Sequence, residues 1–131
     1  MGNKSKIIAD TCIWIEFFRS KSEISNQLME LIAANRIVGN GIIMAELLQG
    51  VKTNKEREII IETFKTLDYM EIDKEVWLKA GILAAEMRSK GRTIPLSDIL
   101  LACCAEKYNL QIFTVDKHFQ DIPNISIFPL G

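Results

Sequence analysis

Four acidic side chains stand inside text that is otherwise apolar: Asp10 in KIIADTCIW, Glu46 in GIIMAELLQG, Asp98 in IPLSDILLA and Asp116 in QIFTVDKHF. Burying even a neutral polar group without a partner costs roughly 2–7 kcal/mol, and a lone carboxylate costs more. A fold that accepts this chain must therefore carry the four acids to something that compensates them. One shared divalent cation is the simplest compensator. The other acids supply the contrast, because Glu56, Glu58, Glu62, Asp73, Glu75 and Glu106 lie among lysines, arginines and polar residues, as solvated helix faces do. Glu16, Glu30 and Glu86 sit in apolar-rich helical stretches and read as outward-facing.

The pattern between the acids is strand, helix, strand, helix. KIIAD reads as a short buried strand and TCIWIEFF as a helix packed on a sheet. Ser22 or Ser25 caps a second helix, marked by Ile24, Leu28, Leu31 and Ile32 and ending near Asn35. RIVGN is strand-like, with Gly39 and Gly41 as punctuation. IIMAELLQGV is helical with a stop at Gly50, and residues 55–67 continue as an amphipathic helix. YMEI is a third strand candidate. Val76, Ala80, Leu83, Ala84 and Met87 predict a helix over 73–90, with Gly91 just past its end. Ser97 reads as the N-cap of DILLACCAEKY, and QIFTV and ISIF complete the strands. Such alternation predicts an α/β fold, a mostly parallel sheet flanked by helices, in one domain spanning 1–131. It places Asp10 and Asp116 at the carboxyl ends of strands, and Asp98 and Glu46 near helix starts. In open α/β sheets that edge is where ligands bind, so acids distant in sequence can meet there.

Composition excludes several classes. The chain has 131 residues, 48% of them hydrophobic, enough for one domain to bury roughly two-thirds of its unfolded surface. The formal net charge of -1 does not mark a general polyanion binder, so a nucleic-acid partner would need a local basic rim. Cys12, Cys103 and Cys104 form neither a disulfide framework nor a CxxC pair, which fits a reduced, cytoplasmic protein. The start MGNKSK has no apolar signal core, and no apolar run approaches the roughly 18 residues that span a bilayer, so no membrane association is expected.

Oxygen donors without a His or Cys cluster of ligand spacing suit a hard cation, Mg²⁺ or Mn²⁺, rather than zinc. Mg²⁺ uses one or two carboxylates and several waters, so four acids are compatible with one ion or two. A carboxylate-held ion polarises a phosphodiester, acidifies an attacking water and screens a substrate the acids alone would repel. That chemistry favours phosphodiester hydrolysis.

The four segments resemble the PIN-domain superfamily, and in particular the VapC-type toxin ribonucleases of toxin–antitoxin pairs. The resemblance runs through DTCIWIEFFR, AELLQGV, MRSKGRTIPLSDILLACCA and TVDKHFQDI and covers almost the whole chain. It implies a PIN-like fold and an endoribonuclease. It implies that Asp10, Glu46, Asp98 and Asp116 are the catalytic acids that bind Mg²⁺ (or Mn²⁺), that RNA is the substrate, and that a cognate antitoxin protein holds the enzyme inactive. A homodimer is compatible with the same reading. Two positions depart from the family pattern: Cys12 stands where Ser or Asn is frequent, and His118 where a further Asp is frequent. Metal occupancy or substrate choice can differ there.

Rival readings remain open on the residues alone. Asp116 is also a credible turn residue or N-cap, and Thr11 and Thr114 suit local caps as well as they suit the orientation of a carboxylate or water. His118, the one histidine, is read as an exposed loop residue rather than a general base. Cys12 with His118 lacks a third orienting group for thiol catalysis. An aspartyl-nucleophile phosphatase commonly has a second acid two residues after the first, where this chain has Cys12. The rival from another class is a PIN-like RNA-binding or regulatory scaffold with little catalysis. Arg19, Lys21, Lys52, Arg88, Lys90 and Arg92 could form a phosphate-facing rim, and Trp14, Phe17, Phe18, Leu47 and Leu48 a groove for an amphipathic partner.

Overall fold

Short strands and longer helices alternate through residues 5–129, the part of the chain that the computed structural model describes. The strands are β1 (Ile7–Ala9), β2 (Val38–Asn40), β3 (Asp68–Met70), β4 (Gln111–Phe113) and β5 (Ser126–Ile127). The helices are α1 (Thr11–Arg19), α2 (Glu23–Ala33), α3 (Gly41–Gln49), α4 (Asn54–Lys65), α5 (Lys74–Ser89) and α6 (Leu96–Tyr108), with a 3-10 turn over Lys117–Asp121. Every strand pair is parallel: β1 with β4, β4 with β5, and β2 with β3. A bridge between Ile7 and Ile37 joins the two groups, giving the order β3–β2–β1–β4–β5.

β1 and β4 are central, and their sequences IIA and QIF are apolar because both faces are covered. Ile7, Ile8, Ile112 and Phe113 have no exposed surface. α6 is buried almost all round from Ile99 to Ala105, which explains its run of small residues. Ala102, Cys103, Cys104 and Ala105 let α5, the sheet and β4 approach its backbone closely. The cysteines are thus packing residues.

Local chemistry sets the helix ends. Ser22 caps α2 by accepting from the Ser25 N–H, and Thr53 forms a reciprocal capping box with Glu56 at the start of α4. α5 closes in a Schellman arrangement: the Arg92 N–H donates to the Met87 carbonyl, the Gly91 N–H donates to that of Arg88, and Gly91 takes φ +80°.

Three expectations are corrected. Ser97 is not a cap: α6 begins at Leu96 after Pro95, whose fixed φ of -53° starts the helix without a side-chain acceptor. Gly39 lies inside β2 rather than punctuating it, and a Cβ there would come within 3.1 Å of the Phe64 ring, so it permits α4 to pack tightly on the strand. Glu46 is not near a helix start but is the sixth residue of the nine in α3.

Candidate active site

β1 and β4 deliver the first two acids. Strand pairing runs one residue past β1, where the Asp10 N–H donates to the Phe113 carbonyl at 2.9 Å, so Asp10 lies beside Thr114 at the carboxyl edge of the sheet. Asp10 also starts α1, its Oδ1 accepting from the Thr11 N–H at 2.8 Å. Beyond β4 the chain turns, and Asp116 Oδ1 accepts from the His118 N–H at 2.9 Å to begin the 3-10 turn. Phe119, fully buried, anchors that turn. Burying such a ring is worth about 1.5–3 kcal/mol, enough to fix the segment that presents Asp116 and His118.

Asp98 comes from the first turn of α6 and Glu46 from the middle of α3. The Thr11 hydroxyl donates to Glu46 Oε1 at 2.6 Å, tying α3 to the start of α1 across 35 residues of sequence. The Thr114 hydroxyl donates to Asp10 Oδ2 at 2.9 Å and accepts from the Asp116 N–H at 2.9 Å, so one buried oxygen sets both acids. Both threonines therefore orient carboxylates. A threonine next to Asp10 and another two residues before Asp116 were the available signals, but capping gives the same spacing.

The acids do not all meet at one point. Ligand atoms of Asp98, Asp116 and His118 lie within 4.8 Å of one another. His118 Nδ1 is 3.4 Å from Asp98 Oδ2 and 3.3 Å from Asp116 Oδ1. Asp10 stands behind this group, close enough that its charge acts on Asp98. Glu46 is held on the α1–α3 side through Thr11. His118 is exposed, as expected of it, yet its ring sits between two of the acids rather than in open solvent.

The electrostatics are those of a site short of positive charge. Burial pushes the Asp98 carboxyl up to about 6, with Asp10 adding to the shift and the hydrogen bond from His118 opposing it. Burial likewise raises Asp10, against the hydrogen bonds from Thr114, Thr11 and Cys12. The Cys12 thiol lies 3.5 Å from Asp10 Oδ2, and its own pKa is raised, chiefly by burial. A raised thiol is a poor nucleophile at neutral pH, so thiol catalysis finds no support.

A groove of about 280 Å³ opens beside Glu46, lined by Ile15, Phe18, Arg19, Leu47, Val51, Ile59 and Ile60 from α1, α3 and α4 and by the segment after α3. Of the aromatic residues expected to form such a groove, Trp14 is instead core, 1% exposed and 4.9 Å from the Phe64 ring centroid. Arg19 belongs to the groove wall, and Arg92 pairs with Asp121 at 3.5 Å.

The family model for the PIN domain matches residues 7–125. The chain belongs to the PIN domain family. Ribonuclease VapC2 of Rickettsia felis is 30% identical over 103 residues, covering 74% of this chain and 77% of that protein. Ribonuclease VapC1 of Methanocaldococcus jannaschii is 23% identical over 128 residues, covering 95% and 86%. Among solved structures, VapBC-1 from nontypeable Haemophilus influenzae superposes with a TM-score of 0.79 at 23% identity, covering 95% of this chain and 97% of that one. The parallel sheet and the helices on it are thus those of a PIN domain.

The residues present fit a divalent ion. Asp98 and Asp116 offer oxygen, the donor that Mg²⁺ and Mn²⁺ take. Asp98 is a half-buried carboxylate whose charge is disfavoured by burial, Asp10 and Asp116 and favoured by the His118 ring, so a cation there would be favoured as well.

Proposed function

We propose that this chain is a metal-dependent endoribonuclease that hydrolyses RNA phosphodiester bonds, working in the cytoplasm as the toxin of a toxin–antitoxin pair, with Asp10, Glu46, Asp98 and Asp116 as its metal-binding and catalytic acids. One observation carries the reading: in a PIN domain with two ribonucleases among its relatives, Asp10, Asp98 and Asp116 gather at the carboxyl edge of β1 and β4, and among the described residues the partner of Asp98 and Asp116 is the His118 ring rather than a lysine or arginine.

Asp98 and Asp116 present oxygen on the open side of the cleft, where the substrate's phosphate would approach. Asp10 is more deeply set, with both oxygens accepting hydrogen bonds, and it fixes the negative potential that an ion must answer. Thr114 and Thr11 hold Asp10, Asp116 and Glu46 in place before any ligand arrives, so little reorganisation is required on binding. When bound, a divalent ion supplies charge for the phosphodiester and acidity for an attacking water.

The groove beside Glu46 supports the partner part of the reading. Its apolar walls suit the apolar face of a helix or an extended segment, and Glu46 in its lining suits a basic side chain. An antitoxin seated there would bring that side chain to the edge of the acidic cleft. Digestion of RNA with Mg²⁺ or Mn²⁺, and again with a chelator, tests the chemistry: cleavage with the ion and none with the chelator is expected. Expression of the chain with and without the product of a neighbouring small gene tests the pairing, and harmless expression alone with no bound partner would remove the toxin role.

A further inference from the structure

His118 is the residue at which this cleft departs from an all-oxygen site. Its backbone N–H donates to Asp116 Oδ1, and the buried Phe119 ring that follows fixes the turn, so the imidazole is carried over the two acids by its own backbone. Nδ1 then lies 3.4 Å from Asp98 Oδ2 and 3.3 Å from Asp116 Oδ1. Those separations are longer than the usual 2.7–3.2 Å of an N–H···O hydrogen bond, so the ring's hydrogen bond to Asp98 is a weak one. They are also a few tenths of an ångström longer than the roughly 3.0 Å that separates two ligands at right angles on one ion when each bond is about 2.1 Å long, a gap that a bound ion would close by drawing the three groups together. One nitrogen and two carboxylate oxygens, all within 4.8 Å of one another, thus face a common space.

We propose that His118 Nδ1 is a direct ligand of the ion that Asp98 and Asp116 hold, making this a mixed nitrogen and oxygen site that prefers Mn²⁺ and later first-row ions to Mg²⁺. The inference rests on the metal-dependent reading above and specifies which ion it takes. Mg²⁺ binds oxygen almost exclusively and gives up water reluctantly, whereas imidazole nitrogen is a good ligand for transition ions. An aspartate at this position would keep the site all-oxygen, so the substitution of nitrogen for oxygen changes ion choice without changing the number of donors.

Pulsed electron paramagnetic resonance on the Mn²⁺-loaded protein reads the bond itself. The expected result is a nitrogen hyperfine coupling that changes to the ¹⁵N pattern when only histidine is ¹⁵N-labelled, and that is absent in His118→Ala. Competition binding should show His118→Asp shifting the Mn²⁺ to Mg²⁺ affinity ratio toward Mg²⁺ by at least about tenfold, the low end of what even an outer partner of a metal ligand contributes. Mn²⁺ bound at the cleft without histidine coupling would overturn the inference and leave the metal-dependent reading standing. Failure of both Mn²⁺ and Mg²⁺ to bind would overturn the two together.

Discussion

Two acidic regions of this molecule are built from the same residue types and behave in opposite ways. Between α5 and α6, Asp73 pairs with Lys107 and Glu106 with Lys79. The Asp73 carboxyl is held below its ordinary value, first by Lys107 and then by the Val76 N–H that it caps. At the carboxyl edge of the sheet, Asp98 faces Asp10, Asp116 and a histidine, and burial drives its carboxyl up to about 6. The α5–α6 surface is electrostatically complete within the chain. In the cleft, among the described residues, Asp98 and Asp116 face a histidine rather than a lysine or arginine, which is the arrangement the proposed ion would complete. Acidic residues alone therefore say little; whether each acid has its own cation distinguishes a binding site from a structural pair.

The comparison breaks most visibly in activity. Chelation of divalent ions should abolish RNA cleavage, and Asp98→Asn should lower it by at least about 100-fold, the scale of losing one preorganised group that acts on transition-state charge. Asp73→Asn, which keeps the cap but loses the charge facing Lys107, should leave cleavage unchanged. Loss of activity in both variants would erase the distinction between the regions.

Stability as a function of pH sharpens it. Asp98 titrates near 3.8 unfolded and at about 6 folded, so the folded state binds the proton more tightly. Its contribution to stability is fully present below pH 3.8 and is lost as pH rises through 6, a change of up to about 3 kcal/mol in the ion-free protein. Denaturant titrations in chelator at pH 5 and pH 7.5 should show this component, and Asp98→Asn should remove it. The sign reverses on the other surface: Asp73, whose carboxyl is lowered, favours folding above its unfolded value and less as pH falls.

The smallest effect is expected at Lys79. Its pair with Glu106 is half-exposed, so Lys79→Ala should shift the melting temperature by no more than a few degrees and leave cleavage intact. A larger loss would mean that the α5–α6 surface is not the self-sufficient structure described here.

Much of this was legible in the sequence, for identifiable reasons. A carboxylate inside KIIAD or IPLSDILLA is conspicuous because burial makes it costly, and the apolar runs around Asp10 and Asp98 are the central strand and the central helix. The alternation of short apolar strand-like runs and helical segments was enough for a parallel α/β fold. What sequence could not give is contact between distant segments. The Thr114 hydroxyl reaches Asp10 across 104 residues, and nothing local separates that role from capping. His118 lies in a 3-10 turn, which has no periodicity to read, so its position between Asp98 and Asp116 emerges only from packing of Phe119. Proline decided the start of α6 against the serine that composition favoured, and depth along α3 placed Glu46 mid-helix, because helix boundaries are set by a few backbone angles rather than by pattern.

The central claim, that the cleft is a charge deficit completed by a divalent ion, is tested most directly by thermal melts of the parent and Asp98→Asn at pH 7.5, in chelator and in Mg²⁺ or Mn²⁺. In chelator the variant should melt at or above the parent, because a neutral amide of similar shape relieves the repulsion among Asp98, Asp10 and Asp116. Addition of the ion should raise the parent's melting temperature and leave the variant's nearly unmoved. A variant that melts well below the parent in chelator, with a parent indifferent to the ion, would contradict the account and mark Asp98 as a structural acid.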